Sequence, residues 1–481
     1  MRVLLINPPV LNFRRGKDIL PVINNLFFNS PPLGIGYIAA VLESEGISVA
    51  IIDAAVERLT ISELIDRVEK FEPDVIGITA TTNLFDSAVE TARKLKEIFV
   101  QEKIVIGGPH VSANPQHALS FKCFDVGIKG EGEITFLELV RALKRNGPLE
   151  GISGLILRRE NQIFLTPARA LISDLDSLPF PARHLLPMGR YLPQPNDQYR
   201  LPKVSMITSR GCPYSCIFCD KSIFSNRYRS FSPAYIVSEM EQLIERYGAR
   251  DIAFLDSTFT VSKSRVEGII DEMKRRKVKV NWTCTVRADV VTKELLIKMK
   301  ETGCWRIRLG VESGDEEVLK FIKKGITIQQ VVNVANWAHQ IGLRPKGFFM
   351  IGHAVDTKES IEKTIRFAKT LPLKDITVQM NTPMKNTAQY KIFDQFGSIA
   401  ADDYNKFSYW EPIFIPNGLD KEYLLETLHR FYRSFYLRPI ILWRHLTQIR
   451  SLDEVVKYLR SLKLIYFLLF HKCWYWLRGK K

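Results

Sequence analysis

With 481 residues the chain has room for two or three domains, and its 46% hydrophobic and 25% charged content excludes a disordered or fibrous protein. The net charge of +16 asks for an acidic partner (nucleic acid, phospholipid headgroups or an anionic substrate), and residues 421–481 hold 13 Lys+Arg against 4 Asp+Glu. Seven cysteines do not make a secreted disulfide framework, and a start of Met1-Arg-Val-Leu-Leu-Ile-Asn-Pro8-Pro9 is too short for a signal peptide. With no apolar run of 18 residues to span a bilayer, a reducing cytoplasm is the expected setting.

Residues 1–145 alternate strand-like and helix-like stretches. Val3–Ile6 is an apolar run ended by Pro8-Pro9, Ile35–Ser44 has helical spacing, and Val49–Ile52 reads as a second strand. Ile61–Phe71 is an amphipathic helix and Val75–Ile78 a strand; a helix over Ala88–Phe99 and a strand over Ile104–Ile106 follow. Val126–Ile128 is the last strand before a helix opening at Glu133. Such alternation makes an α/β, doubly wound, Rossmann-like parallel sheet, whose ligands bind beyond the strands' carboxyl ends. Here that edge is Pro9, Thr79-Ala-Thr81-Thr82, Gly107-Gly108-Pro-His110 and Gly130-Glu131-Gly132-Glu133, although glycine pairs alone equally mark ordinary turns.

Residues 146–203 read as a connector: a small hairpin over Leu155–Leu165, then a strap stiffened by Pro179, Pro181, Pro187, Pro193 and Pro195. Residues 204–400 resume the alternation, with strands at Val204–Ile207, Ile252–Leu255, Trp282–Val286, Trp305–Val311, Gly347–Ile351 and Asp375–Gln379. About six strand–helix repeats suit a partial, open (β/α)6 barrel with its functional groups at strand carboxyl ends.

Directly after the first barrel strand comes Thr208-Ser-Arg-Gly-Cys212-Pro-Tyr-Ser-Cys216-Ile-Phe218-Cys219-Asp220, with Arg210-Gly211 turning the chain into a loop. Thiolates are the ligands of iron–sulfur clusters, and three of them leave one iron of a four-iron cluster open. A structural zinc would need a fourth ligand. Cys284 and Cys304 sit in separate apolar strand and helix stretches, where a buried free thiol is the default. Later strand ends carry Asp256, a helix cap or a ligand contact; Arg287, a carboxylate fork or the partner of Asp289; Glu312; and His353, a loop residue or general base.

The C-x3-C-x2-C spacing with an aromatic, Phe218, before the last cysteine resembles the radical S-adenosylmethionine superfamily. The resemblance implies a [4Fe–4S] cluster on Cys212, Cys216 and Cys219, whose open iron holds the amino and carboxylate groups of S-adenosylmethionine. One-electron cleavage then gives a 5′-deoxyadenosyl radical that abstracts a substrate hydrogen. It further implies that Asp256 meets the amino group, Arg287 the carboxylate and Glu312 the ribose, with Phe218 beside them and adenine near Met350–His353. The phrases Ile106-Gly-Gly-Pro-His110 and Lys129-Gly-Glu-Gly-Glu133 are similar to the cobalamin-binding domain fused ahead of many such enzymes, and Leu175-Asp-Ser-Leu-Pro-Phe-Pro181 to their strap. That likeness implies cobalamin over Pro9, Thr79, Thr81, Thr82, Gly107, Gly108, His110, Gly130, Glu131 and Gly132. The Asp-x-His-x-x-Gly pattern of another cobalamin class is absent, since Val-Ser-Ala follows His110, so His110 is expected near the corrin rather than on cobalt.

Residues 401–481 form a helical, basic and aromatic extension. Tyr404, Phe407, Tyr409, Trp410 and Phe414 cluster, and the apolar run Lys463–Leu477 between Arg460 and Arg478 reads as a docked terminal helix or an interfacial one on anionic lipid. Taken together, the expectation is an enzyme that methylates, cyclises or couples an unactivated carbon of a hydrophobic small molecule, such as a lipid or tetrapyrrole. A donor such as ferredoxin or flavodoxin would feed it electrons, and the membrane association would be peripheral. The rivals are a tRNA methylthiotransferase and a non-catalytic cobalamin or redox sensor. The first needs a second cluster on three N-terminal cysteines, whereas only Cys123 precedes Cys212, so nucleic acid is not expected as a partner.

Overall fold

The computed structural model describes residues 1–10, 30–160, 162–194, 197–399 and 410–446. Its first sheet has seven strands: β1 (Arg2–Asn7), β2 (Ser48–Asp53), β3 (Val75–Thr79), β4 (Lys103–Gly107), β5 (Val126–Ile128), β6 (Leu155–Arg159) and β7 (Gln162–Leu165), in the order β2-β1-β3-β4-β5-β6-β7. Strands β1 to β5 are parallel, and their apolar runs are covered on both faces, as parallel strands require. The order reverses between β1 and β3, so the crevice lies beyond Pro8-Pro9 and Thr79–Thr82. The hairpin read as part of the connector instead adds β6 antiparallel to β5, so this sheet continues to Leu165 before the strap begins.

The second sheet holds six parallel strands, β8 (Lys203–Met206), β11 (Asp251–Phe254), β12 (Asn281–Val286), β13 (Cys304–Glu312), β14 (Lys346–Ile351) and β15 (Asp375–Met380), each beside the next in sequence. Sequential parallel order with outer helices curls a sheet into a half-barrel. Helix starts are set by Ser232, Ser262, Thr292, Thr327 and Thr357, whose hydroxyls each accept a first-turn N–H. Between β8 and β11 a short antiparallel ribbon, β9 (Ser209–Arg210) with β10 (Arg229–Ser230), brackets the cysteine loop. Cys304 lies in strand β13, not in a helix as its sequence context suggested.

Two large apolar cores result among the described residues. One face of the first sheet closes on its own helices through Leu4, Ile6, Leu64 and Phe85. The opposite face, with Tyr37 and Phe136, is continuous with the barrel core. Buried polar links tie the strap to both: Arg183 donates to Glu239 at 2.6 Å and Tyr191 to Asp53 at 2.7 Å.

After a short strand at Phe414–Pro416, the extension forms the helix Lys421–Tyr436, which seals the barrel's edge strand β15. Hydroxyls of Tyr432 and Tyr436, one helical turn apart, donate to the carbonyls of Val378 and Ile376 and accept from the N–H groups of the same residues. An otherwise open sheet edge is thereby satisfied. The aromatic residues 404, 407 and 409 and the apolar run 463–477 lie outside the described residues. Among those described, no helix is long and apolar enough to cross a membrane.

Candidate functional site

The cysteine loop sits on the carboxyl edge of the half-barrel. Gly211, at φ +82°, lets it leave the ribbon, because a Cβ there would run into the Arg227 carbonyl oxygen. Ile217 anchors the middle of the loop, donating to Ile322 O at 3.1 Å and accepting from Gln389 N at 3.0 Å. Cys216 is buried, Cys212 half-buried with its sulfur 4.0 Å from Thr258 Oγ1, and Cys219 on the exposed side. All three are free of disulfides. Burial pushes the Cys216 thiol up. Crowding and then the neighbouring Cys216, Glu312 and Cys212 push Cys219 to about 12, so ligation must displace protons.

Around the thiols stand the residues singled out at strand ends, several with partners of their own. Asp256, expected to meet an amino group, is buried and fully engaged. It accepts from Thr208 N (2.7 Å), Thr208 Oγ1 (2.5 Å) and Ser209 Oγ (2.6 Å), and Arg265 lies 3.6 Å away. It therefore pins β11 to the ribbon. Arg287, expected to fork a carboxylate, forks that of Asp289 at 2.9 and 3.0 Å and donates to Lys324 O at 2.6 Å. Its remaining nitrogen faces Cys216 Sγ at 3.9 Å, and its plane covers the Tyr214 ring at 3.6 Å. Glu312 ends β13 beside a register shift, in left-handed conformation at φ +63°, and takes Lys324 Nζ at 2.6 Å.

Phe218 packs 5.9 Å from the ring of His353. Gly352 (φ +81°) and the Asp356 carboxylate, which accepts from the N–H of Gly352 and His353 at 2.9 Å each, set the histidine's place. His353 is fully buried, neither ring nitrogen has a hydrogen-bond partner, and burial followed by the charge of Lys324 brings its pKa down to about 3. It stands there as a neutral imidazole.

The first sheet's edge has a different make-up. Pro9 is buried past β1, Thr79 ends β3, and exposed Thr81 and then Thr82 follow it. Gly108, at φ +103°, packs where a Cβ would come within 2.9 Å of Ala80 O and Thr79 Oγ1. A Cβ on Gly107 would have only ordinary contact, 3.8 Å from Ile128, and one on Gly130 (φ +86°) would meet nothing within 4 Å. Gly132 packs against Ile38.

His110 lies in an unforeseen short helix, Pro109–Ala113, buried with its ring 4.0 Å from that of Phe85. It meets Thr82 Oγ1 at 3.3 Å and His117 Nδ1 at 3.2 Å. Burial, then His117 and Lys385, lower its pKa to about 3.

Glu131, placed by its motif on the cobalamin side, instead faces the barrel. It takes Arg210 Nη1 at 2.6 Å and Arg229 at 2.9 and 3.1 Å, while Glu133 takes Arg210 Nη2 at 2.6 Å. Burial by itself raises the Glu131 carboxyl, but Arg229 and Arg210 outweigh it and hold the pKa below the usual value. Arg229, Thr258 and Lys324 join the site, and Arg210 does more there than turn the chain. A hint was available: one arginine stands at each mouth of the cysteine loop.

The donor set fits the implied groups. Three thiols with N–H and O–H donors at 3.9 and 4.0 Å from two sulfurs make the setting that tunes an iron–sulfur cluster. Among the described residues, no three histidine, cysteine or carboxylate side chains converge on a single metal ion. At the first edge, open space at Gly130 and the hydroxyls of Thr79, Thr81 and Thr82 are the small and polar groups the implied cobalamin would border.

Comparison with known proteins agrees. Residues 206–368 match the radical SAM superfamily model and residues 19–140 the B12 binding domain. The chain is 35% identical over 444 residues to an uncharacterized methyltransferase of Pyrococcus horikoshii, covering 92% of this chain and 94% of that one. It is 26% identical to the anaerobic magnesium-protoporphyrin IX monomethyl ester cyclase of Rubrivivax gelatinosus, covering 92% and 78%. In fold it is similar to the cobalamin-dependent S-adenosylmethionine radical enzyme OxsB solved with aqua-cobalamin and S-adenosylmethionine, with a TM-score of 0.65 and 20% identity. The match covers 82% of this chain but only 55% of OxsB, so this chain spans about half of that longer protein.

Proposed function

The chain belongs to the radical S-adenosylmethionine enzymes that carry a B12-binding domain, and from that premise we propose that it transfers a methyl group to an unactivated carbon of a hydrophobic small molecule. Its cofactors are a [4Fe–4S] cluster, S-adenosylmethionine and cobalamin. When bound, the cluster with S-adenosylmethionine supplies hydrogen abstraction and cobalamin supplies a transferable methyl group.

The chain's own groups divide the remaining work. Cys212, Cys216 and Cys219 hold the cluster; Thr258 and Arg287 offer hydrogen-bond donors to the sulfurs of Cys212 and Cys216. Glu312, steadied by Lys324, presents a carboxylate toward the ribose side, and Phe218 walls the mouth. Thr79, Thr81, Thr82, Gly107, Gly108 and Gly130 border the corrin side, with His110 behind them as a neutral support rather than a cobalt ligand.

The observation that carries this reading is the direct attachment of the cysteine-loop ribbon to the loop after β5, which supports one substrate meeting both cofactors. Support for a lipid or tetrapyrrole comes from the apolar, basic-flanked run at 463–477, suited to an anionic membrane surface, and from the similarity to the cyclase. The net charge of +16 suits an acidic electron donor such as a ferredoxin or flavodoxin.

Anaerobic turnover with methyl-labelled S-adenosylmethionine and candidate lipids or tetrapyrroles tests the reading. Methyl transfer yields labelled product with 5′-deoxyadenosine and S-adenosylhomocysteine in equal amounts. A second reading, ring closure, is favoured by the cyclase similarity; it would give 5′-deoxyadenosine without label in the product.

A further inference from the structure

The ribbon that closes the cysteine loop carries a conflict of its own. In β9–β10, Arg210 lies directly opposite Arg229 and Ser209 opposite Ser230. Like charges facing each other across an antiparallel pair push the strands apart, and Arg210 is 6% exposed, so little water reaches it. Neither arginine finds its counter-charge within the barrel. Both reach one carboxylate, Glu131, from the loop after β5: Arg210 Nη1 at 2.6 Å, Arg229 Nη1 at 2.9 Å and Nη2 at 3.1 Å. Glu133 takes the second Arg210 nitrogen at 2.6 Å. The strap joins the same knot, since Ile172 N donates to Glu131 Oε2 at 2.9 Å and Ile172 O accepts from Arg229 Nη1 at 2.5 Å. Arg210 is two residues from Cys212, so the geometry of the first thiol is joined through one short turn to a carboxylate on another sheet.

We propose that Glu131 and Glu133 are positioning residues for the iron–sulfur cluster: by neutralising Arg210 and Arg229 they hold the neck of the cysteine loop shut, so docking of the first sheet and retention of the cluster are linked. The proposal rests on the functional reading above but concerns residues to which that reading gives no cofactor. The linkage is reciprocal: an undocked first sheet leaves a splayed neck, and an occupied loop favours docking.

The experiment uses the full chain, purified anaerobically, reconstituted with iron and sulfide, and challenged with a chelator while cluster absorption is followed. Glu131→Gln keeps the shape and removes the charge. It should speed cluster loss about tenfold or more, as loss of an outer partner of a metal site does, and shift the electron paramagnetic resonance of the reduced cluster. Corrinoid absorption should stay within about twofold of the parent, because the proposal gives Glu131 no part in holding cobalamin.

Adding Arg229→Gln to Glu131→Gln removes one of the two facing charges and should recover much of the lost retention. This double variant guards against a single variant that merely folds poorly. Cluster loss within about twofold of the parent in Glu131→Gln, or a double variant no better than the single one, would overturn the proposal. A parent protein that holds no iron would overturn the functional reading and the proposal with it. Iron held equally by parent and variants would sink the clamp alone.

Discussion

The carboxyl edges of the two sheets face related tasks with opposite materials. The half-barrel mouth is built from charged and strongly polar residues, and most of them hold one another: Asp256 the ribbon, Arg287 Asp289, Glu312 Lys324. The first sheet's edge is built from glycine, threonine and proline, with open space at Gly130 and an exposed Thr81. Leaving a buried charge unpaired costs several kcal/mol, so charges in a tight mouth are recruited by each other before any ligand arrives. Glycines and threonines carry no charge to neutralise, and their contacts, such as Thr82 with His110 and Thr81 with Asn83, are neutral ones. A charged residue at a strand end therefore marks where a site is, whereas a small one marks either close packing, as at Gly108, or open space, as at Gly130.

The sharpest break between the edges should come from the thiols. Cys212→Ala, Cys216→Ala and Cys219→Ala should each bring iron close to background and lower reductive cleavage of S-adenosylmethionine by about 100-fold or more. Corrinoid absorption should persist, since the other edge is untouched. Parental cleavage in any one of the three would contradict the ligand assignment. Next in size is Asp256→Ala, which strands the Thr208 and Ser209 donors and leaves Arg265 without its nearby carboxylate. A loss of about 3–5 kcal/mol in urea unfolding is expected, and a loss below about 1 kcal/mol would mean the mouth is not held by this carboxylate.

That contrast also explains what could be read from the chain. Strand and helix order was legible because apolar runs and Ser/Thr caps are local signals, and the cysteine spacing is a loop property complete within eight residues, 212–219. Pairings were not legible. Glu131 sits in a Gly-Glu-Gly phrase that looks like cofactor binding, and only the docking of two sheets brings Arg210 and Arg229 onto it, 79 and 98 residues away. The tyrosine seal on β15 was equally hidden, since a hydroxyl's partner 54 or 60 residues away leaves no periodic trace. Asp256 and Arg287 stand at the mouth where their strand ends put them, and their partners Thr208, Ser209 and Lys324 were hidden for the same reason.

Gly107→Ala tests the first edge at a smaller scale. The added methyl meets Ile128 only at 3.8 Å and the backbone there needs no left-handed conformation, so stability should change by no more than about 0.5 kcal/mol. If this loop borders the corrin, retention of cobalamin should fall while cluster content stays parental. Unchanged retention would move the corrin away from β4.

The smallest effect concerns acid. His110 at the first edge and His353 in the mouth both have pKa values lowered to about 3, so each contributes stability that is complete above the unfolded value of 6.5 and is lost as pH falls toward 3. The slope for each is about 1.4 kcal/mol per pH unit. In the mouth a neighbour opposes it. Asp356, raised to about 6 by burial despite its hydrogen bonds from Ser360, His353 and Gly352, contributes stability that is full below 3.8 and lost as pH rises through 6. Between those values the two slopes in the mouth cancel, and at the first edge Asp53, raised by burial, likewise opposes His110. Mild acid between about pH 4 and 6 should therefore leave hydrogen exchange in β14 nearly unchanged. Asp356→Asn should remove the cancellation and leave the mouth with the full His353 slope of about 1.4 kcal/mol per pH unit. An unchanged profile in that variant would mean the Asp356 carboxyl titrates near its ordinary value.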